Sequence, residues 1–189
     1  MRALTAVVVF AVAMAIGLLG RVSAAVAVPE TFSATASIDS PKGQASVPVE
    51  IKIDRYTTDA ERDTIIAAVK ANDAAKTIKA LEQQPDAGSL TFGGRVTPIK
   101  YAYARTTGDG RLVTLVTARP VAFVGAGLPD AKPKTGHDLA IALLMLDAND
   151  TGVGEIALAA NVKVTETGAL QTDDYGRETV RLTKIARKR

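Results

Sequence analysis

Between residues 47 and 54 the chain alternates: Val47, Val49, Ile51 and Ile53 share one face, while Pro48, Glu50, Lys52 and Asp54 share the other. A period of two predicts a half-buried strand, and Pro48 places its start at a sheet edge. The period then lengthens. Thr58-Asp59-Ala60-Glu61 has the spacing of a capping box, with the Thr hydroxyl accepting from the amide three residues on and the Glu reaching back. Ile65, Ile66 and Val69 fall on one helical face, and Asn72 ends the turn. A second helix is predicted over residues 73 to 84, capped by Asp73, with Ala74, Ile78 and Leu81 as its apolar stripe and Pro85 beyond its end.

The pattern returns towards two after residue 88. Short strands are predicted near 89 to 93, 97 to 105 and 111 to 118, the last two joined by the hairpin signal TTGDG. The segment from Arg119 to His137 carries three prolines and three glycines and is long for a loop. LAIALLMLD, residues 139 to 147, is too short to span a bilayer and reads as a strand buried on both faces. GEIALAANVKV then puts Ile156, Leu158, Ala160, Val162 and Val164 on one side, and RETVRLTKI supplies a last strand. Residues 28 to 46, rich in Ser, Thr and Pro, read as a flexible leader.

These elements predict an α+β fold in the order β-α-α-β-β-β-β-β-β. A mostly antiparallel curved sheet of about seven strands packs on two consecutive helices. In element order this resembles helix-grip folds such as the lipid-transfer START domains, although the long C-terminal helix of those folds has no counterpart here. The expected organisation is a secretory signal peptide at 1–27, the leader at 28–46, a single domain at 47–186 and a basic tail at 187–189.

The signal-peptide reading rests on Arg2, the apolar run from Ala3 to Leu19 and two small-residue cleavage sites, after Ala24 or after Ala27. It predicts Sec-dependent export to the periplasm or the medium, with no transmembrane helix left after cleavage. Cleavage removes Arg2 and Arg21 but no acid, so the formal charge falls from +3 to about +1. The basic balance of the whole chain therefore gives no reason to expect nucleic acid as a partner. The absence of Cys among 189 residues excludes disulfides, thiolate metal sites and thiol nucleophiles.

The stretch LMLDANDTGVGEIAL, residues 144 to 158, resembles three motifs. Asp147, Asn149, Thr151 and Gly152 fit the first half of a calcium loop, but position twelve is Leu158, where a bidentate Glu is needed. Asp150-Thr151-Gly152 spells an aspartic-protease triplet, yet Ala148 and Asn149 precede it and no second triplet pairs with it. Gly152-Val153-Gly154 fits a relaxed dinucleotide fingerprint, but strand periodicity follows it where a helix is required. Asp, Asn, Thr and Gly are turn formers, and a hairpin loop accounts for every residue. No metal or cofactor is predicted.

Other chemistry is sparse. His137 is the only histidine, and Asp138 alternates away from it, so a base oriented by a carboxylate is not expected. Tyr101 and Tyr103 share a strand face near Lys100 and Arg105 and are the candidates for contacting a ligand. Arg187, Lys188 and Arg189 form a basic tail suited to anionic surfaces.

IDRYTTDAERD, ARPVAF and YGRETVRLTKI resemble segments of exported bacterial proteins of unknown function. That resemblance implies export and a single domain and brings no site residues. The leading expectation is an exported, non-enzymatic domain binding an apolar or amphipathic ligand between sheet and helices, beside the loop from Arg119 to His137. The alternative is an envelope-associated adaptor acting through the basic C terminus. A hydrolase using Asp150 or His137 ranks third.

Overall fold

A computed structural model describes residues 28–40, 43–121, 137–166, 168–175 and 179–188. The elements are β1 (Glu30–Ser40), β2 (Gly43–Ile53), α1 (Asp59–Lys70), α2 (Ala74–Glu82), β3 (Gly88–Phe92), β4 (Arg95–Ile99), β5 (Tyr101–Thr106), β6 (Gly110–Val116), β7 (Leu139–Asp147), β8 (Thr151–Val164), β9 (Leu170–Tyr175) and β10 (Thr179–Arg187). All ten strands join one antiparallel sheet in the order β4-β3-β2-β1-β10-β8-β7-β6-β5, with β9 paired to β8 off that path.

The two ends of the path belong to neighbouring segments of chain. Only Lys100 separates β4 from β5, and there the strand changes partner. Ile99 accepts from the Ala87 amide at 2.7 Å, and the next amide, Lys100 N–H, donates to Val116 O at 2.9 Å. The sheet therefore wraps into a nearly closed barrel, in which one bent strand is hydrogen-bonded to β3 along its first half and to β6 along its second.

The fold is α+β with two helices, as expected, but the sheet has ten strands rather than about seven. Three differences account for this. The predicted strand at 97 to 105 is split at Lys100. Residues 170 to 175 add a short strand on β8. The expected leader forms β1 and the beginning of β2, so the order opens β-β-α-α. β1 is an integral member: it pairs with β2 from Glu30 to Ser40 and with β10 from Phe32 to Ser37. Pro48 lies inside β2 rather than at its start, one residue beyond the β3 ladder, which begins at Val49. A missing amide is tolerated there because β3 does not reach it.

The barrel interior holds one apolar cluster. Phe32 and Ala34 from β1, Val49 and Ile51 from β2, Phe92 from β3 and Leu144 from β7 represent it. A second cluster lies outside, where Ile65, Ile66 and Val69 of α1 and Leu81 of α2 cover Tyr101, Val116, Leu139, Ile141, Ala157 and Ala160. This explains why LAIALLMLD is apolar at every position up to Leu146: Ala140, Ala142 and Leu144 face the interior while Leu139 and Ile141 meet the helices. Beyond the reach of the helices, Met145 is 54% exposed, beside its cross-strand partner Val153.

The helices are held over that face by both ends of the linker. The Thr58 hydroxyl accepts from Glu61 N–H at 3.4 Å and Glu61 accepts from Thr58 N–H at 2.8 Å, completing the predicted capping box. One residue earlier, Thr57 N–H donates to Ala102 O at 2.8 Å and its hydroxyl accepts from Ala102 N–H at 2.9 Å, tying the helix start to β5. At the far side, the Arg62 guanidinium donates to Gly168 O at 2.6 Å and lies 4.8 Å above the Tyr103 ring. Among the described residues, no helix is long and apolar enough to cross a membrane.

Candidate functional site

The DANDTG stretch is the turn between β7 and β8, as its composition predicts. Asp147 accepts from Asn149 N–H at 2.8 Å and Thr151 N–H at 2.9 Å, and from the Thr151 hydroxyl at 2.7 Å. The Thr151 and Asn149 donors hold the Asp147 carboxyl below the usual carboxylate range. With its oxygens engaged by the turn itself, this carboxylate is not placed as a calcium ligand. No group of three or more metal-binding side chains occurs among the described residues. The glycines that follow are strand glycines. A Cβ on Gly152 would lie 1.9 Å from Met145 O, and one on Gly154 would lie 2.4 Å from Leu143 O. They are needed for close approach of β7 and β8 rather than for a pyrophosphate.

Asp150 takes the left-handed conformation, with φ of 59°, and its carboxylate joins a polar plug at one mouth of the barrel. Arg111 from β6 donates to Glu30 at 3.0 and 2.8 Å and to Asp150 at 3.1 and 2.7 Å. Arg187 from β10 reaches Asp150 at 3.2 Å and approaches Glu30 at 3.7 Å. The Tyr56 hydroxyl donates to Glu30 and accepts from Arg111 at 3.0 Å. Beneath the plug, the Arg111 guanidinium sits 5.6 Å from the Phe32 ring centre.

Two carboxylates here balance two guanidiniums. The Glu30 side chain is 0% exposed and that of Arg111 12%, so the pair is out of water. Burial lifts the Tyr56 phenol well above its ordinary value, reinforced by the bond to Glu30 and opposed by Arg111. Burial works against the Arg111 charge, but Glu30, Tyr56 and Asp150 together hold it above the ordinary guanidinium value. Every carboxylate in the plug is met by a guanidinium, and the one hydroxyl among them, that of Tyr56, is bonded to Glu30 and Arg111. The arrangement caps one mouth of the barrel with matched charges.

Below it, one small cavity lies among the described interior residues. The cavity lined by Leu90, Ile99, Leu115, Thr117 and Ile156 measures about 10 Å³, roughly the volume of one water-sized sphere. That cavity, among the described residues, is too small for an apolar ligand.

A larger cleft of about 190 Å³ opens outside the barrel, where the turn between α1 and α2 meets β7 and β8. Val69, Ile78, Leu139 and Val162 give it an apolar side. Asn72, Asp73, Thr77, Asp138 and Asn161 give it a polar side. Local structure sets these positions. Asn72 ends α1 with φ of 52°, and Asp73 caps α2 by accepting from Lys76 N–H at 3.0 Å. That amide holds the Asp73 carboxyl below its usual range. Asp138 is half-buried immediately before β7.

The residues singled out from the sequence are dispersed. His137 is buried, at 2% exposure, while the adjacent Asp138 opens to the cleft. Asp150 is in the plug. Tyr101 is 1% exposed under the helices, where burial pushes its phenol up to about 12 against the opposing charge of Arg62. Tyr103 lies beneath Arg62, and neither tyrosine lines the cleft. Arg187 pairs with Asp150, and Lys188 pairs with Glu50. Arg189 and most of the loop from Arg119 to His137 lie outside the described residues.

Sequence reasoning did not find Glu30, Tyr56 and Arg111, and it placed a site between sheet and helices without naming the residues that line the cleft there. A signal for the plug was present. Glu30 is in phase with Phe32 and Ala34, and Arg111 with Val113 and Leu115, so both charges occupy inward positions of their strands. Comparison with protein-family models, curated proteins and solved structures found no match to this chain.

Proposed function

We propose that this chain is an exported, non-catalytic domain that binds a small amphipathic molecule in the cleft between its helices and sheet. The observation that carries the reading is the cleft's two-sided lining, with Val69, Ile78 and Leu139 against Asn72, Asp138 and Asn161, in a volume of about 190 Å³. Apolar walls with a few convergent polar groups are the usual make-up of a small-molecule site. The volume is below the roughly 300 Å³ at which ligand pockets commonly begin, so the ligand, or its buried part, is small. The small size of the cavity found among the described interior residues favours this two-sided cleft over an apolar site inside the barrel.

A non-catalytic role is favoured because neither group considered for hydrolysis lines this cleft. The Asp150 carboxylate is spanned by two guanidiniums, and His137 is buried away from the cleft lining. The adaptor reading has less support, since Arg187 and Lys188 are already paired with Asp150 and Glu50.

Native mass spectrometry of the protein purified from its secreting host tests the proposal. A non-covalent adduct is expected that is lost in Ala74→Trp, which fills the cleft from an exposed position of its lining. An adduct that survives Ala74→Trp, or no adduct together with no cleft-localised binding in a small-molecule screen, overturns it.

A further inference from the structure

We infer that the molecule taken by this cleft carries a positively charged nitrogen, anchored by the Asp138 carboxylate; the inference rests on the binding reading above. The polar side of the cleft holds two carboxylates, two carboxamides and a hydroxyl, and no Lys, Arg or His lines it among the described residues. One carboxylate is already committed. Asp73 accepts from Lys76 N–H at 3.0 Å and pairs with Lys76 Nζ at 3.4 Å. The Thr77 hydroxyl is also engaged, donating to Asp73 O at 3.0 Å.

Asp138 is different. It is half-buried, it lines the cleft, and no hydrogen bond or ion pair reaches its carboxylate among the described residues. A partly desolvated carboxylate without a partner favours a ligand that brings both charge and N–H donors. An anionic ligand meets two carboxylates, one of them paired with Lys76, and no cation among the described lining residues, so it is disfavoured by the same lining. A bare metal ion lacks a ligand set, since no cluster of three metal-binding side chains occurs among the described residues. Val69, Ile78 and Leu139 cover the remaining wall and call for hydrocarbon beside the ammonium. A small organic amine satisfies both sides.

Three compounds sharing one carbon skeleton separate charge from shape: phenethylamine, 2-phenylethanol and 3-phenylpropionate. They are titrated into the ¹⁵N-labelled protein while the amides of Asn72, Thr77 and Asn161 are followed. Phenethylamine is expected to bind about tenfold more tightly than 2-phenylethanol, as suits a charge-assisted hydrogen bond, and 3-phenylpropionate most weakly. Asp138→Asn, isosteric and half-exposed, should remove the preference for the amine while leaving the alcohol unchanged. Equal binding of amine and alcohol in the cleft, or a preference that survives Asp138→Asn, overturns the inference and leaves the binding reading standing. Cleft amides that respond to none of the three compounds, with Ala74→Trp also without effect on any adduct, overturn both. A parallel titration with Nα-acetyl-lysine amide separates the two sources of such a group. Asp138-dependent binding there as tight as that of phenethylamine points to a lysine side chain of a polypeptide, and weaker binding to a free amine.

Discussion

Glu30, the first residue of β1, and Arg111, the second residue of β6, meet across one mouth of the barrel through hydrogen bonds of 3.0 and 2.8 Å. Each is the polar end of an otherwise apolar inward row, and their pairing matches the two charges at that mouth of the barrel. Glu30→Ala should lower stability by about 3–5 kcal/mol, the usual result of stranding one partner of a buried pair. Glu30→Leu with Arg111→Met keeps the charge balance, because Arg187 still faces Asp150. The double variant should be more stable than either single one. Urea denaturation of the four proteins checks this, and strictly additive losses would contradict it.

Acid should act first on the turns. Asp147, Asp73 and Glu61 are all held below the usual carboxylate range by amide donors from Thr151, Lys76 and Thr58 respectively. Their folded values lie below their unfolded ones, so the unfolded chain binds more protons as the pH falls. The stability they contribute is complete above about pH 4 and is lost progressively below it. Asp147→Asn should flatten this acid limb when urea midpoints are followed downward from about pH 5.

Alkali should act on the plug. The Tyr56 phenol is raised by burial and by its bond to Glu30, so the folded state holds its proton more firmly than the unfolded one. Its contribution is complete below about pH 10 and is lost as the pH climbs towards the folded value. Tyr56→Phe should flatten the alkaline limb and, by taking one donor from Glu30, cost about 1–2 kcal/mol at neutral pH. Phenolate absorbance during titration reads the same group directly. Tyr101, raised to about 12 beneath the helices, keeps part of the alkaline loss in the variant.

Gly152 tests the close approach of β7 and β8. A methyl group there would fall 1.9 Å from Met145 O, so Gly152→Ala must push the strands apart or break their pairing. A loss of about 2–3 kcal/mol is expected, comparable to overpacking a core, with amide exchange at Met145 and Val153 accelerated. An unchanged melting temperature would contradict it.

The sequence carried both helices well, because caps and stripes are local. Thr58, Glu61 and Asp73 act within one turn of where they stand. It carried β7 as a doubly buried strand for the same reason, since its apolar content shows on both parities. β1 was harder to see. Its inward residues after Phe32 are Ala34 and Ala36, too small to stand out from Thr31, Ser33, Thr35 and Ser37, although the alternation is complete. The split at Lys100 and the plug are non-local. Nothing near Arg111 announces Glu30, and only the shared inward parity of two distant strands links them. The cleft was illegible because Asp138 and Asn161 come together with the turn at Asn72 only once the helices dock.

The seam between β1 and β10 also sets the order of events in folding. Ser33 and Ala186, hydrogen-bonded across it, are 153 residues apart in the chain. A polypeptide emerging N-terminus first therefore has its opening strand ready long before the strand that seals it exists. The hairpins and helices between them can form as they emerge. The ring closes only when β10 reaches β1, a high-contact-order step expected to be slow. Until then β1 has a partner on one side only, and the ring stays open along that seam.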